Sequence, residues 1–194
     1  METLSKEQEI LKILFKEFKE SYNSRSISRK IGLSHAGAFK LLKKLEERKI
    51  VAAKRIGRAN IYSINLENPV AIKELELLLA IEAQKNSKWL EEFRELKEKT
   101  SFVILFGSII KNEKEAKDID LLIVSDKKKF PEIKKIIEDK NRITAKKIHA
   151  LIQTPEDFLK DMKNNNKVIL EVIRTGIVLL NNETLINYLG ELML

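Results

Sequence analysis

SFVILFGSIIKNEKEAKDIDLLIVSD, residues 101–126, is the stretch on which the reading of this chain turns. An apolar run ends at Gly107-Ser108, a short polar helix follows, and Asp118-Ile119-Asp120 opens a second apolar run. The order is strand, turn, helix, strand. A Gly-Ser turn at a helix N-terminus offers backbone N–H groups to phosphate oxygens. Carboxylates two residues apart on a strand point to one face and together suit Mg²⁺. The stretch therefore has the parts needed to hold a nucleoside triphosphate with its cation.

Outward from this segment, the chain is long enough for one large or two small domains. It has 194 residues, of which 43% are apolar. Its longest apolar runs are short and bounded by charge, so neither a membrane span nor a signal peptide is expected. The absence of cysteine excludes a disulfide framework and thiolate metal sites, and the expected setting is cytoplasmic and soluble. The net charge is +8, but it is unevenly placed: residues 1–66 hold 15 Lys/Arg against 7 Asp/Glu, and the remainder holds 22 of each. A basic first third beside a neutral remainder points to a polyanion as the partner of the first third.

Within residues 1–66, Ile10, Leu11, Leu14, Phe15 and Phe18 recur at helical spacing and predict a helix over 6–21. Asn23-Ser24 interrupts it. Ser24 or Ser26 is expected to cap a short second helix that Gly32 ends in the left-handed region. Ser34 is expected to cap a third helix over 35–48, with Ala38, Leu42 and Leu45 inward. Residues 50–53 and 61–64 read as strands around a basic loop, 54–60. The run IGLSHAGAFKLLKKLEERKIV followed by GRANIYSIN resembles winged helix–turn–helix domains. The resemblance implies a third helix entering the major groove of duplex DNA and a hairpin touching the backbone or minor groove. Carried onto this chain, Ser34, His35 and Gly37 are the base-reading candidates, with Lys40, Lys43 and Lys44 further along the helix. Arg55 and Arg58 suit phosphate contacts on the wing. The plainer readings are that Lys43 and Lys44 form a solvated face, His35 supports the N-terminal turn, and Phe39 packs.

Residues 67–99 read as a helical connector. Asn68-Pro69 starts one helix, Ser87 is expected to cap another, and Trp89, Phe93 and Leu96 share a face. That face is either packing or the seam of a homodimer.

For residues 100–194, the pattern F-G-S, nine residues, then D-I-D-L resembles the minimal nucleotidyltransferases of the DNA polymerase β-like superfamily. The resemblance implies an α+β fold with a mixed sheet flanked by helices. It makes Gly107 and Ser108 the phosphate turn, with Lys111 beside them, and makes Asp118 and Asp120 the catalytic metal ligands. The implied ligands are Mg²⁺ and a nucleoside triphosphate, ATP foremost. The implied chemistry transfers a nucleoside monophosphate to a hydroxyl with loss of pyrophosphate. The chain departs from the family pattern at three points. Asn112 stands where a Gly often follows the basic residue, and Lys117 stands where a Ser commonly precedes the first Asp. The expected third strand, TAKKIHALIQ over 144–153, has no carboxylate. His149 on that strand is open to two readings, a structural imidazole or a metal ligand or base.

The expectation is a DNA-binding regulator whose second domain binds Mg-nucleotide with little or no catalysis. The alternative is an active transferase acting on a protein or RNA hydroxyl, with the winged helix as its targeting module.

Overall fold

The computed structural model describes residues 4–193. Residues 1–3 of the expected 1–66 module and residue 194 of the expected 100–194 module lie outside the described residues. The chain forms two compact units, Met1–Leu78 and Leu79–Leu194, and the division between them falls inside a helix.

In the first unit, α1 (Lys6–Lys16) begins with a capping box, in which Ser5 and Gln8 bond each other's backbone N–H. The helix stops at Lys16, well before the expected residue 21. The cause is tertiary. The Tyr22 carbonyl accepts the Tyr62 N–H at 2.8 Å, and the Tyr22 hydroxyl bonds Glu17. Residues 17–22 therefore leave the helix to reach the hairpin. The second helix, α2 (Ser24–Ile31), is capped by Asn23 and not by either serine: Asn23 Oδ1 accepts the Ser26 N–H at 2.9 Å. Gly32, at φ 64°, ends it as expected. Ser34 Oγ accepts the Gly37 N–H at 3.1 Å and starts α3 (His35–Glu47).

The two strands β1 (Val51–Ile56) and β2 (Ala59–Ile64) pair antiparallel down to Ile56 opposite Ala59. The connection is therefore the two-residue turn Gly57-Arg58, not a seven-residue loop, and Arg55 lies within β1. Gly57 has φ 59°, the positive value that tight hairpin turns need. Ile10, Leu14, Phe15, Ile27, Leu42, Leu45 and Tyr62 are buried. Each fully buried Leu, Ile or Phe contributes about 1.5–3 kcal/mol relative to exposure. Three helices and a hairpin make this unit a winged helix–turn–helix.

The chain then enters α4 (Pro69–Gln84), where Asn68 Oδ1 accepts the Val70 N–H at 2.9 Å. Next is α5 (Ser87–Glu92), whose N-cap is Asn86, without a side-chain capping bond, in place of the expected Ser87. Trp89, Phe93 and Leu96 are buried in the core of the second unit, so this face is packing and not an open seam.

The rest of the second unit runs β3 (Phe102–Phe106), α6 (Ser108–Lys111), β4 (Asp118–Val124), α7 (Phe130–Ile143), β5 (Lys147–Gln153), α8 (Pro155–Lys163), α9 (Lys167–Thr175), β6 (Ile177–Leu180) and α10 (Asn182–Met193). Its sheet has the order β5-β4-β3-β6. β4 is antiparallel to β3 and parallel to β5, so the sheet is mixed. Parallel neighbours need a crossover, and α7 supplies it. The Asn141 side chain ties the end of α7 to β5 by bonding both backbone groups of Ile148, at 3.2 and 2.7 Å. One sheet face buries Leu105, Leu121, Ile123 and Ile148 with Trp89, Phe93, Ile133 and Ile137. On the other face, Phe102 meets Phe158 edge-on with ring centroids 5.0 Å apart. Asp118 and Asp120 stand at the first end of β4, where they are only partly covered.

Candidate functional site

Three adjacent strand segments build the site. β3 ends at Phe106, which pairs with Asp120, and the chain turns at Gly107 with φ 83°. A Cβ added there would overlap Asp120 Oδ2 and lie 3.2 Å from its Cγ. Only glycine allows the turn and the carboxylate to approach so closely. Ser108 is the first residue of the single-turn helix α6 and is exposed. Gly107, not Ser108, holds the cap position.

The parallel register sets Lys147 opposite Asp118 and His149 opposite Asp120. His149 Nδ1 lies 3.6 Å from Asp118 Oδ2 and 3.8 Å from Asp120 Oδ1. One ligand atom from each of the three residues falls within 4.8 Å of the others. The imidazole thus occupies the place on the third strand where the resemblance called for a carboxylate. The Asp120 carboxyl is held above its usual range, first by burial, then by the neighbouring Asp118 charge, with His149 opposing. Two close carboxylates and an imidazole form a donor set that fits a divalent cation.

Gly107 and Ser108 also border a second space. A cleft of about 580 Å³ is lined by Gly107, Ser108, Lys111, Lys167, Val168 and Glu171, among others. It brings Lys111 together with Gly107 and Ser108. It also adds Lys167, a residue the sequence alone did not single out, because α9 reaches this cleft only through the fold. Val168 is 61% exposed at its rim.

In the first unit, a groove of about 970 Å³ runs between the start of α2, α3 and the hairpin. His35, Arg55 and Arg58 from the sequence reading line it, with Arg25, Phe39 and Ile56. Among the described residues, no acidic side chain lines it. His35 Nε2 is 2.9 Å from Ser24 Oγ. Phe39, expected to pack, is 46% exposed. Arg25 was missed, since its position on the first turn of α2 carries no signal until α2 and the hairpin are brought together. Lys40, Lys43 and Lys44 are not in this groove and line a neighbouring concavity along α3. Lys44 also pairs with Glu7 at 2.7 Å. The Ser34 hydroxyl is engaged as a cap, and a Cβ at Gly37 would lie 3.2 Å from it.

Residues 88–185 match the family described as Polymerase beta, Nucleotidyltransferase. No curated protein matches the chain. Among solved structures, a point mutant of Lactococcus lactis ZitR shares 24% identity, covering 50% of this chain and 62% of its own, with a TM-score of 0.32. Another ZitR mutant, solved in complex with DNA, also shares 24% identity over 50% of this chain and 62% of its own, with a TM-score of 0.33. The adhesin competence repressor AdcR of Streptococcus pyogenes shares 12% identity over 59% of this chain and 84% of its own, with a TM-score of 0.37. This chain thus spans less than two thirds of the length of these two ZitR structures. Among the described residues, no helix is long and apolar enough to cross a membrane.

Proposed function

The chain belongs to the polymerase β nucleotidyltransferase family through residues 88–185, and from that premise we propose that it is a DNA-binding regulator whose second unit binds a nucleoside triphosphate with a divalent cation. In this reading residues 1–66 read duplex DNA, 67–99 connect, and 100–194 hold the nucleotide. The protein works in the cytoplasm on transcription. The observation that carries the nucleotide claim is the convergence of Gly107, Asp120 and His149 from three neighbouring strand segments. Asp118 and Asp120 hold the cation, with Mg²⁺ and ATP as the first pair to test. The cation neutralises triphosphate charge that the protein alone would leave exposed. The Gly107-Ser108 turn cradles phosphate oxygens through backbone N–H groups, and Lys111 and Lys167 add positive charge at the edge of the cleft.

The groove between α3 and the hairpin supports the DNA claim. Arg25, Arg55 and Arg58 line it, with no carboxylate among the described lining residues, a composition suited to phosphates. Self-association is part of the same proposal. Val70 and Leu77, seven residues apart on α4, are 54% and 59% exposed, and that spacing sets them on one side of the helix.

A second reading, an active transferase, is favoured by one observation: His149 stands beside both aspartates, so the third position is filled. In that reading an acceptor hydroxyl loses its proton to water, its oxygen bonds to the α-phosphorus, and the α–β phosphoanhydride bond breaks to release pyrophosphate. Titrating the protein with ATP and Mg²⁺ in a calorimeter tests the shared claim, with Asp118→Ala plus Asp120→Ala as the control. Binding that the double variant abolishes supports it, and no heat with wild type removes it. Radiolabel transferred from α-labelled ATP to a component of a cell extract, and lost in the same variant, selects the second reading.

A further inference from the structure

We propose that His149 is a direct metal ligand, and that the Asp118–Asp120–His149 centre therefore prefers a nitrogen-accepting first-row cation such as Mn²⁺ over Mg²⁺. The proposal deepens the functional reading above and rests on its placement of the cation at Asp118 and Asp120.

The argument begins with register. β5 lies at the sheet edge, and its parallel pairing fixes His149 opposite Asp120. A shift of one residue would turn His149 to the buried face and bring Ile148 to the aspartates. Ile148 is 3% exposed, within the core, so the register is firmly set. Nδ1 faces both carboxylates, at 3.6 and 3.8 Å. These separations exceed a hydrogen bond, and an ion seated among the three groups would lie closer to each of them than they lie to one another. Among the described residues, no other side chain takes up the imidazole.

The donor set then decides the ion. Mg²⁺ demands oxygen ligands and near-ideal octahedral geometry. Imidazole suits transition cations, whose affinity for nitrogen sites exceeds that of Mg²⁺. Replacing a third carboxylate by a neutral ring also lowers the negative charge of the cage, which weakens the electrostatic hold on a hard ion most. Lys147, opposite Asp118 on the same edge strand, adds a positive charge nearby and acts in the same direction.

The experiment uses the full chain and metal alone. MnCl₂ is titrated and free Mn²⁺ followed by electron paramagnetic resonance, with MgCl₂ as competitor. Pulsed resonance on the bound ion then looks for nitrogen coupling. The wild type should show imidazole nitrogen coupling and prefer Mn²⁺. In His149→Asp the coupling should vanish and the Mn²⁺/Mg²⁺ preference should fall toward that of an all-oxygen site. His149→Gln, which adds no charge, should also lose the coupling, and circular dichroism verifies that both variants fold. Bound Mn²⁺ without nitrogen coupling, or an unchanged preference in His149→Asp, overturns the proposal. ATP binding in the same wild-type sample separates the two ideas. If ATP binds with Mg²⁺ and no nitrogen coupling is seen, the nucleotide reading stands and this proposal falls.

Discussion

The Asp120 carboxylate lies over the Cα of Gly107, leaving no room for a side chain between the turn and the acid. The Gly107-Ser108 turn and the first end of β4 are thus set against each other by a missing Cβ. A Gly107→Ala substitution should push the carboxylate out of the cluster with His149 and force an L residue to φ 83°. Such backbone strain costs about 1–3 kcal/mol. Chemical denaturation should report that loss, and calorimetry should show ATP binding with a divalent cation abolished. A variant of wild-type stability and affinity would mean that the turn and Asp120 do not work together.

Neutralising Asp120 should have the opposite effect on the metal-free protein. Its carboxyl is held above the usual range, chiefly by burial and then by Asp118. A raised folded pKa means the native state binds the proton more tightly than the unfolded chain. The benefit is present at low pH and is lost as pH rises through the carboxylate range, leaving a penalty at neutral pH. Asp120→Asn in a chelator should therefore melt at a higher temperature than wild type at pH 7. The gap should close toward pH ~4, near the unperturbed carboxylate value. Thermal melts at a series of pH values check this, and a variant less stable at pH 7 contradicts it.

The site was legible in sequence wherever its logic is local. The Gly-Ser turn, the period-two aspartates and the Ser34 cap follow from neighbouring residues, and each appears where that logic puts it. What the sequence left open or missed depends on residues far apart in the chain. His149 joins the aspartates only because α7 returns the chain parallel to β4 in one register. Its sequence neighbours, Ile148 and Ala150, give no hint of two carboxylates beside it. Likewise α1 ends early because Tyr22 must meet Tyr62, forty residues on, and helical periodicity cannot see that demand. The hairpin was expected, but its strands run longer than the sequence suggested: Lys54 and Arg55 look like loop residues, yet they sit on an exposed two-stranded wing where charge is no obstacle to pairing.

Gly176 offers a test of packing apart from the site. Its φ of −71° is ordinary, so backbone strain is not at issue. A Cβ there would lie 2.5 Å from Ile104 Cγ2, 2.5 Å from the Val172 carbonyl oxygen and 3.1 Å from that of Leu105. Two of these neighbours are backbone and cannot swing aside. Gly176→Ala should destabilise the protein by about 1–3 kcal/mol through overpacking. In a urea titration the midpoint should fall with little change in slope, and an unaltered midpoint would show that α9 and β3 have slack between them.

Charge reversal on the winged helix distinguishes the groove from the α3 lysines as the DNA face. Arg58 lines the groove and Lys40 the adjoining concavity, and both are exposed. Lys44 is held by Glu7, so reversing it disturbs α1 as well as any DNA contact. Arg58→Glu and Lys40→Glu should each weaken duplex binding, and each removed phosphate contact should flatten the logarithmic salt dependence by about one unit. Arg25→Glu should behave like Arg58→Glu if the groove follows the backbone. Fluorescence anisotropy with a labelled duplex at several salt concentrations measures all three. Loss confined to Lys40→Glu would move the interface onto α3 alone. Full affinity in all three variants would leave the basic first unit without a nucleic-acid role and transfer its excess charge to some other polyanion.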